Sequence, residues 1–139
     1  MRLSRFVVAA LVLGACKNDA RSPLQVDELA GTWTMTATNA ANDSTLVTYE
    51  MTATADTAGW SILYPNHTTP IALRVRTDAD SIIMDAGPYA STARQDATVT
   101  IHGVLYLRDA KLVGTESAYY KVGSTESVVH IKLAGTKAR

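Results

Sequence analysis

Beyond Gly31 the chain alternates apolar and polar residues in short runs rich in threonine and β-branched side chains, separated by Gly, Asp, Asn and Pro. No run there is long and periodic enough for a helix, so the pattern predicts an all-β domain. A strand's side chains alternate between faces and a turn fixes the pairing, so each hairpin predicts what lies inside. Joining residues 98–108 to 111–121 across the two-residue turn Asp109-Ala110 sets Leu107 opposite Leu112, Leu105 opposite Gly114 and Ile101 opposite Ala118. The other face pairs Arg108 with Lys111, Tyr106 with Val113 and His102 with Ser117. A second turn at Gly123-Ser124, where glycine supplies a positive φ, sets Lys121 opposite Glu126, Ala118 opposite Val129, Glu116 opposite Ile131 and Gly114 opposite Leu133. Both turns select the same apolar face.

A third hairpin, read across the four residues 77–80, pairs Val75 with Ile82 and Leu73 with Met84, and sends Arg74, Arg76, Ser81 and Ile83 to the other side. Segments 32–38, 46–55 and 60–64 alternate as well, but their longer loops leave the register open. Asp85-Ala86-Gly87-Pro88-Tyr89 reads as a turn by composition, with its tyrosine either a rim contact or fold punctuation. The expectation is a small antiparallel up-and-down barrel of about eight strands, in meander order, closed so that no edge is exposed. A β-sandwich is the alternative. Ahead of the strands, residues 22–31 predict one short helix, with Ser22 as N-cap, Pro23 at the first helical position, Gln25 closing a capping box and Gly31 as the stop.

The start of the chain follows a different pattern. Arg2 and Arg5 precede the apolar run Phe6 to Leu13, FVVAALVL. A bilayer span needs about 20 apolar residues, so this shorter run fits the core of a signal peptide. The residues that follow, Leu13-Gly14-Ala15-Cys16, resemble the bacterial lipobox and contain the only cysteine in the chain. That resemblance implies cleavage before Cys16, transfer of a diacylglycerol to its thiol and an acyl chain on the new amino terminus. Two or more chains give stable anchoring. Lys17 follows the cysteine instead of aspartate, which favours outer-membrane delivery in a host with two membranes. Cleavage by the ordinary signal peptidase is the alternative and would leave Cys16 an unexplained thiol. The expected organisation is a signal peptide over 1–15, a lipidated tether over 16–21 and one barrel domain over 22–139.

The short helix followed by Gly31-Thr32-Trp33 resembles the opening of lipocalins and fatty-acid-binding proteins. The chain is also similar to small exported lipoproteins of lipocalin-like type. The resemblance implies a helix that plugs one end of the barrel and a tryptophan packed at its base. In lipocalins a cation from the last strand covers that ring, and Lys137 or Arg139 would stand in for it here. The lipocalin T-D-Y motif is missing, because Thr77-Asp78 is followed by alanine.

Charge and chemistry narrow the function further. Lys+Arg and Asp+Glu number 13 each, and loss of residues 1–15 removes two arginines and leaves a net charge near −2. With no basic stripe, a nucleic-acid partner is not expected. With one cysteine no internal disulfide forms, and a hydrophobic core must hold the domain. No nucleophile, metal or phosphate motif occurs, so neither an enzyme nor a cofactor is expected. Glu116 is the most informative polar residue, because parity places it on the apolar face, where a carboxylate is costly unless paired or hydrated. Gly103 and Gly114 beside it leave room for a cavity that Trp60, Tyr64, Tyr89 and Tyr120 are candidates to line. A bulge that turns Glu116 outward is the competing reading. His102, Ser117 and His130 align on the outer face, with the two imidazoles roughly 9.5 Å apart at the backbone, and His67 sits in a separate loop; no metal is expected. Two functions remain: a barrel that binds an apolar or amphipathic small molecule, and a filled barrel that acts as a structural or protein-interaction module with an unknown partner. A cavity of about 300 Å³ or more beside Glu116 separates them.

Overall fold

A computed structural model describes residues 23–139. The expected signal peptide, the lipidation site Cys16, the tether and the capping residue Ser22 lie outside the described residues. The chain forms a 3-10 turn over Val26–Leu29 and then nine strands. These are β1 (Gly31–Asn39), β2 (Thr45–Ala53), β3 (Ser61–Leu63), β4 (Ile71–Ala72), β5 (Arg74–Asp78), β6 (Ser81–Ala90), β7 (Thr98–Arg108), β8 (Lys111–Val122) and β9 (Thr125–Lys137). They build one antiparallel sheet in the order β4-β3-β2-β1-β9-β8-β7-β6-β5.

The sheet nearly closes into a barrel, and β4 and β5 show how. They are pieces of one extended segment broken at Leu73, whose amide still donates to the Trp60 carbonyl at 2.9 Å. The first piece pairs with β3 and the second with β6, so the two edges of the sheet belong to one stretch of chain. With that stretch taken as a single strand the barrel has the eight expected from the pattern. Few edge amides remain for another chain to pair with.

The β7–β8 and β8–β9 registers are those that side-chain parity predicts, including Leu105↔Gly114, Ala118↔Val129 and Glu116↔Ile131. Asp109 and Ala110 both take left-handed φ values, 50° and 61°, as a type I′ turn requires. The β5–β6 register differs from expectation. Asp78 pairs with Ser81 and Val75 with Met84, so the turn is Ala79-Asp80 alone instead of the four residues 77–80. Ala79 adopts φ 53°, and the Ser81 hydroxyl donates to the Asp78 carbonyl at 2.7 Å, which ties the shorter turn and buries Ser81. The two-residue slip preserves parity, so Ile82 and Met84 still face inward.

The segment around Gly87 also departs from expectation. It is no turn between strands but a bulge inside β6, where Ala86 pairs with Ile101 and Tyr89 with Val99. Three steps on one strand oppose two on the other, so both Ala86 and Tyr89 reach the interior. Gly87 takes φ 98°, and a Cβ there would overlap the Val99 carbonyl oxygen, which restricts the site to glycine.

The N-terminal helix is shorter than expected. Gln25 occupies the cap position without a side-chain capping bond, its amide nitrogen donating instead to the Pro23 carbonyl at 3.3 Å. Gly31 opens β1 instead of stopping a helix. The turn still seals one end: Leu29 is fully buried, and its carbonyl accepts the Trp33 indole N–H at 2.8 Å. Lys137 from β9 donates to the Glu28 carbonyl at 3.2 Å, with its ammonium 5.8 Å from the centre of the Trp33 ring. Around this plug, Met35, Met51, Trp60, Ile82, Met84, Leu105 and Leu112 fill the interior at that end.

Candidate functional site

The interior changes character along the barrel. In β8 the inward positions run Leu112, Gly114, Glu116, Ala118 and Tyr120, from the plugged end to the other. The packed core stops near Glu116. Past it lies a cavity of about 460 Å³ whose wall includes Ala37, Tyr49, Tyr64, Tyr89, Ile101, Glu116, Ala118 and Tyr120. It opens where the β1–β2, β3–β4 and β6–β7 connections meet, and Asn39, Pro65, Asn66 and the segment from Ser91 to Arg94 form its rim. The volume is in the range of small-molecule pockets.

Glu116 is 6% exposed, and its Oε2 is buried with no hydrogen-bond partner. Burial pushes its carboxyl up from 4.5 to about 7, because the charged form loses its hydration in an apolar wall. The side chain points inward, as parity requires, and no bulge turns it out. The two neighbouring glycines do not make the room beside it. The space beside Gly103 is taken by Met84, whose Cε lies 2.7 Å from where a Cβ would stand, and Gly114 backs onto the Val104 carbonyl of the next strand. Just beyond Glu116 the inward residues are small or aliphatic, Val99 and Ile101 on β7, Ala118 on β8 and Val129 on β9, which leaves the space that the tyrosines border.

Those tyrosines form a connected group. Tyr64 and Tyr89 share a hydroxyl–hydroxyl hydrogen bond of 3.2 Å, although 25 residues separate them. Tyr49 packs on Tyr64 with ring centres 5.2 Å apart and planes tilted by 58°. Desolvation raises the phenols of Tyr49 and Tyr64 well above 10, with a further push on both from Tyr89 and Glu116, and on Tyr64 from Tyr49 as well. Tyr89 is pushed up to about 12, chiefly by burial. At the rim, the Arg94 guanidinium lies 4.5 Å from the centre of the Tyr120 ring and donates to the Ser127 hydroxyl at 3.0 Å. Burial raises the Tyr120 phenol too, and Arg94 opposes that shift.

Four of the five candidate lining residues therefore meet at one cavity: Glu116, Tyr64, Tyr89 and Tyr120. Trp60 does not. It lies in the plugged half, almost fully buried, with its indole N–H donating to the Asp56 carbonyl at 2.7 Å. The β2–β3 connection that carries it is at the barrel end opposite the opening. Tyr49 and Arg94 are additions. Tyr49 alternates correctly within its strand, but the β1–β2 register that brings it inward was not fixed by a tight turn. Arg94 sits in a connection that no periodicity describes.

The chain matches no family model, no curated protein and no solved structure. Geometry alone must say what the cavity is for.

The outer-face histidines are engaged separately. His102 Nδ1 lies 2.6 Å from Asp85 Oδ1, and His130 Nδ1 lies 3.1 Å from the Ser117 hydroxyl. His67 packs edge-on to Tyr64, with ring centres 5.9 Å apart, and is not part of the cavity lining. Among the described residues, no group of three or more His, Cys, Asp or Glu is placed to hold a metal ion.

Proposed function

We propose that this protein is a lipid-anchored component of a bacterial cell envelope whose barrel binds an apolar or amphipathic small molecule. The observation that carries the binding reading is the 460 Å³ cavity with a buried, unpartnered carboxylate in its wall. A barrel of eight strands is readily filled by its own side chains, and the plugged half of this one is. The other half is not, which counts against a packed interaction module. A void lined only by aliphatic groups would be a packing defect; one lined by a carboxylate and four tyrosines has the few convergent polar groups of a binding site.

The anchor rests on the lipobox-like Leu13-Gly14-Ala15-Cys16 behind a signal-like apolar run. The short polar segment that follows would hold the barrel close to the membrane surface. The lipocalin-like opening, with its short turn, Trp33 and covering Lys137, supports the same placement among small ligand-binding barrels.

The test is native mass spectrometry of the protein purified from its own envelope fraction. A species heavier than the lipidated chain by one small molecule, released on unfolding, is expected. A bare lipidated chain, or one held in stoichiometric complex with another protein, contradicts the binding reading.

A further inference from the structure

The same site carries an inference about ligand chemistry, and it rests on the binding reading above. We propose that the occupant presents a protonated amine to Glu116, with the tyrosines around that cation and the rest of the molecule along the aliphatic wall.

Glu116 lacks a partner. Its Oε2 is buried and accepts nothing from the protein. Of the described residues that line the cavity, only Arg94 is cationic, and its guanidinium is at the rim, spread over Tyr120 and bonded to Ser127. No protein cation therefore neutralises the carboxylate from within. An anion would enter against it, and an alkyl chain would leave its oxygen unsatisfied. A ligand ammonium supplies both missing elements, a positive charge and N–H donors.

The tyrosines point the same way. Burial keeps the phenols of Tyr49, Tyr64, Tyr89 and Tyr120 neutral. Neutral aromatic rings attract a cation through their faces, more strongly where water is excluded. Their hydroxyl oxygens offer further acceptors. Beyond the polar group, Val99, Ile101, Ala118, Val129 and Ile131 provide an apolar wall for a short hydrocarbon body.

Protonation gives the inference a signature. Tyr49 on β2, Tyr64 after β3, Tyr89 on β6, Tyr120 on β8 and Arg94 in the β6–β7 connection are the titratable groups that share the cavity with Glu116. Between pH 5.5 and 8 the tyrosines of the lining stay neutral, and the lining carboxyl that changes is Glu116. An amine must meet the carboxylate, and below the pKa of the empty site its binding has to release a proton.

The experiment follows the methyl resonances of Ala118 and Ile131 by NMR while hexylamine, hexanol or hexanoate is added to the purified, ligand-free protein. Hexylamine remains protonated throughout this pH range, as lysine does. At pH 8 it should bind at least tenfold more tightly than hexanol, and hexanoate more weakly than either. Its affinity should fall about thirtyfold on going to pH 5.5, while that of hexanol changes little. Glu116→Gln should abolish the amine preference and its pH dependence but retain hexanol. If that variant does not fold, the wild-type pH profile decides. Hexanol binding with no preference for the amine overturns this inference and leaves the cavity reading intact. No perturbation by any of the three probes overturns both.

Discussion

Glu116 shapes the stability of the barrel as well as its site. Its carboxyl titrates near 7 in the folded chain, against an ordinary value of 4.5. A carboxyl whose pKa is raised by folding favours the folded state while it is protonated. That contribution is complete below about pH 4.5, declines as the pH rises and is gone above about 7. The shift corresponds to a penalty on the order of 3 kcal/mol at pH 8, at about 1.4 kcal/mol per unit. Glu116→Gln keeps the shape and removes the charge, so it should stabilise the protein by up to that amount at pH 8 and have little effect at pH 4. Urea denaturation of both proteins at the two pH values measures the difference. Equal stabilities at pH 8 would show that the carboxylate is hydrated in the folded chain. A carboxyl that costs the fold this much suits a site that a ligand completes.

Among the elements, the hairpins with two-residue turns position the wall of the site. In the β7–β8 turn, Ala110 holds φ 61°, a conformation that disfavours any residue with a Cβ by roughly 1–2 kcal/mol. Glycine adopts it freely but has more freedom to lose on folding. Ala110→Gly should therefore stabilise the domain by a net 0.5–1 kcal/mol or so, seen as a higher urea midpoint with an unchanged slope. A lower midpoint would mean that the turn is not of this type. The same hairpins explain what the sequence revealed. Where two residues link two strands, parity and pairing are fixed together, and the sequence alone places Glu116 and Ala118 inside. The β5–β6 pairing is not legible in the sequence because Ala79 takes a left-handed turn position usually held by glycine or asparagine. The Gly87 bulge is not legible because an insertion changes parity without any change in composition. Tyr49 lies in mid-β2 and Trp60 at the end of the β2–β3 connection, and with no tight turn to set either register their placement follows only from tertiary pairing. Residue type alone makes Trp60 a candidate for the cavity, whereas the structure buries it in the core near the plug.

At the level of the whole molecule, the barrel divides its interior. A 3-10 turn, Trp33 and Lys137 close one end over a dense core, while the other end stays open beneath the β1–β2, β3–β4 and β6–β7 connections. Stability and binding are thus assigned to different halves, and a ligand can enter without disturbing the core. If Cys16 carries the anchor, Cys16→Ser should move the protein from the membrane pellet to the soluble fraction of the envelope, read by fractionation and immunoblotting. Persistence in the pellet would contradict lipidation at that residue. Side-chain parity closes the sheet around a cavity with Glu116 in its wall. Titration of the Glu116 side-chain carboxyl carbon by ¹³C NMR, in folded, ligand-free protein, tests it most directly. A midpoint near 7 is expected; one near 4.5 would place the carboxylate in water and contradict the enclosed site.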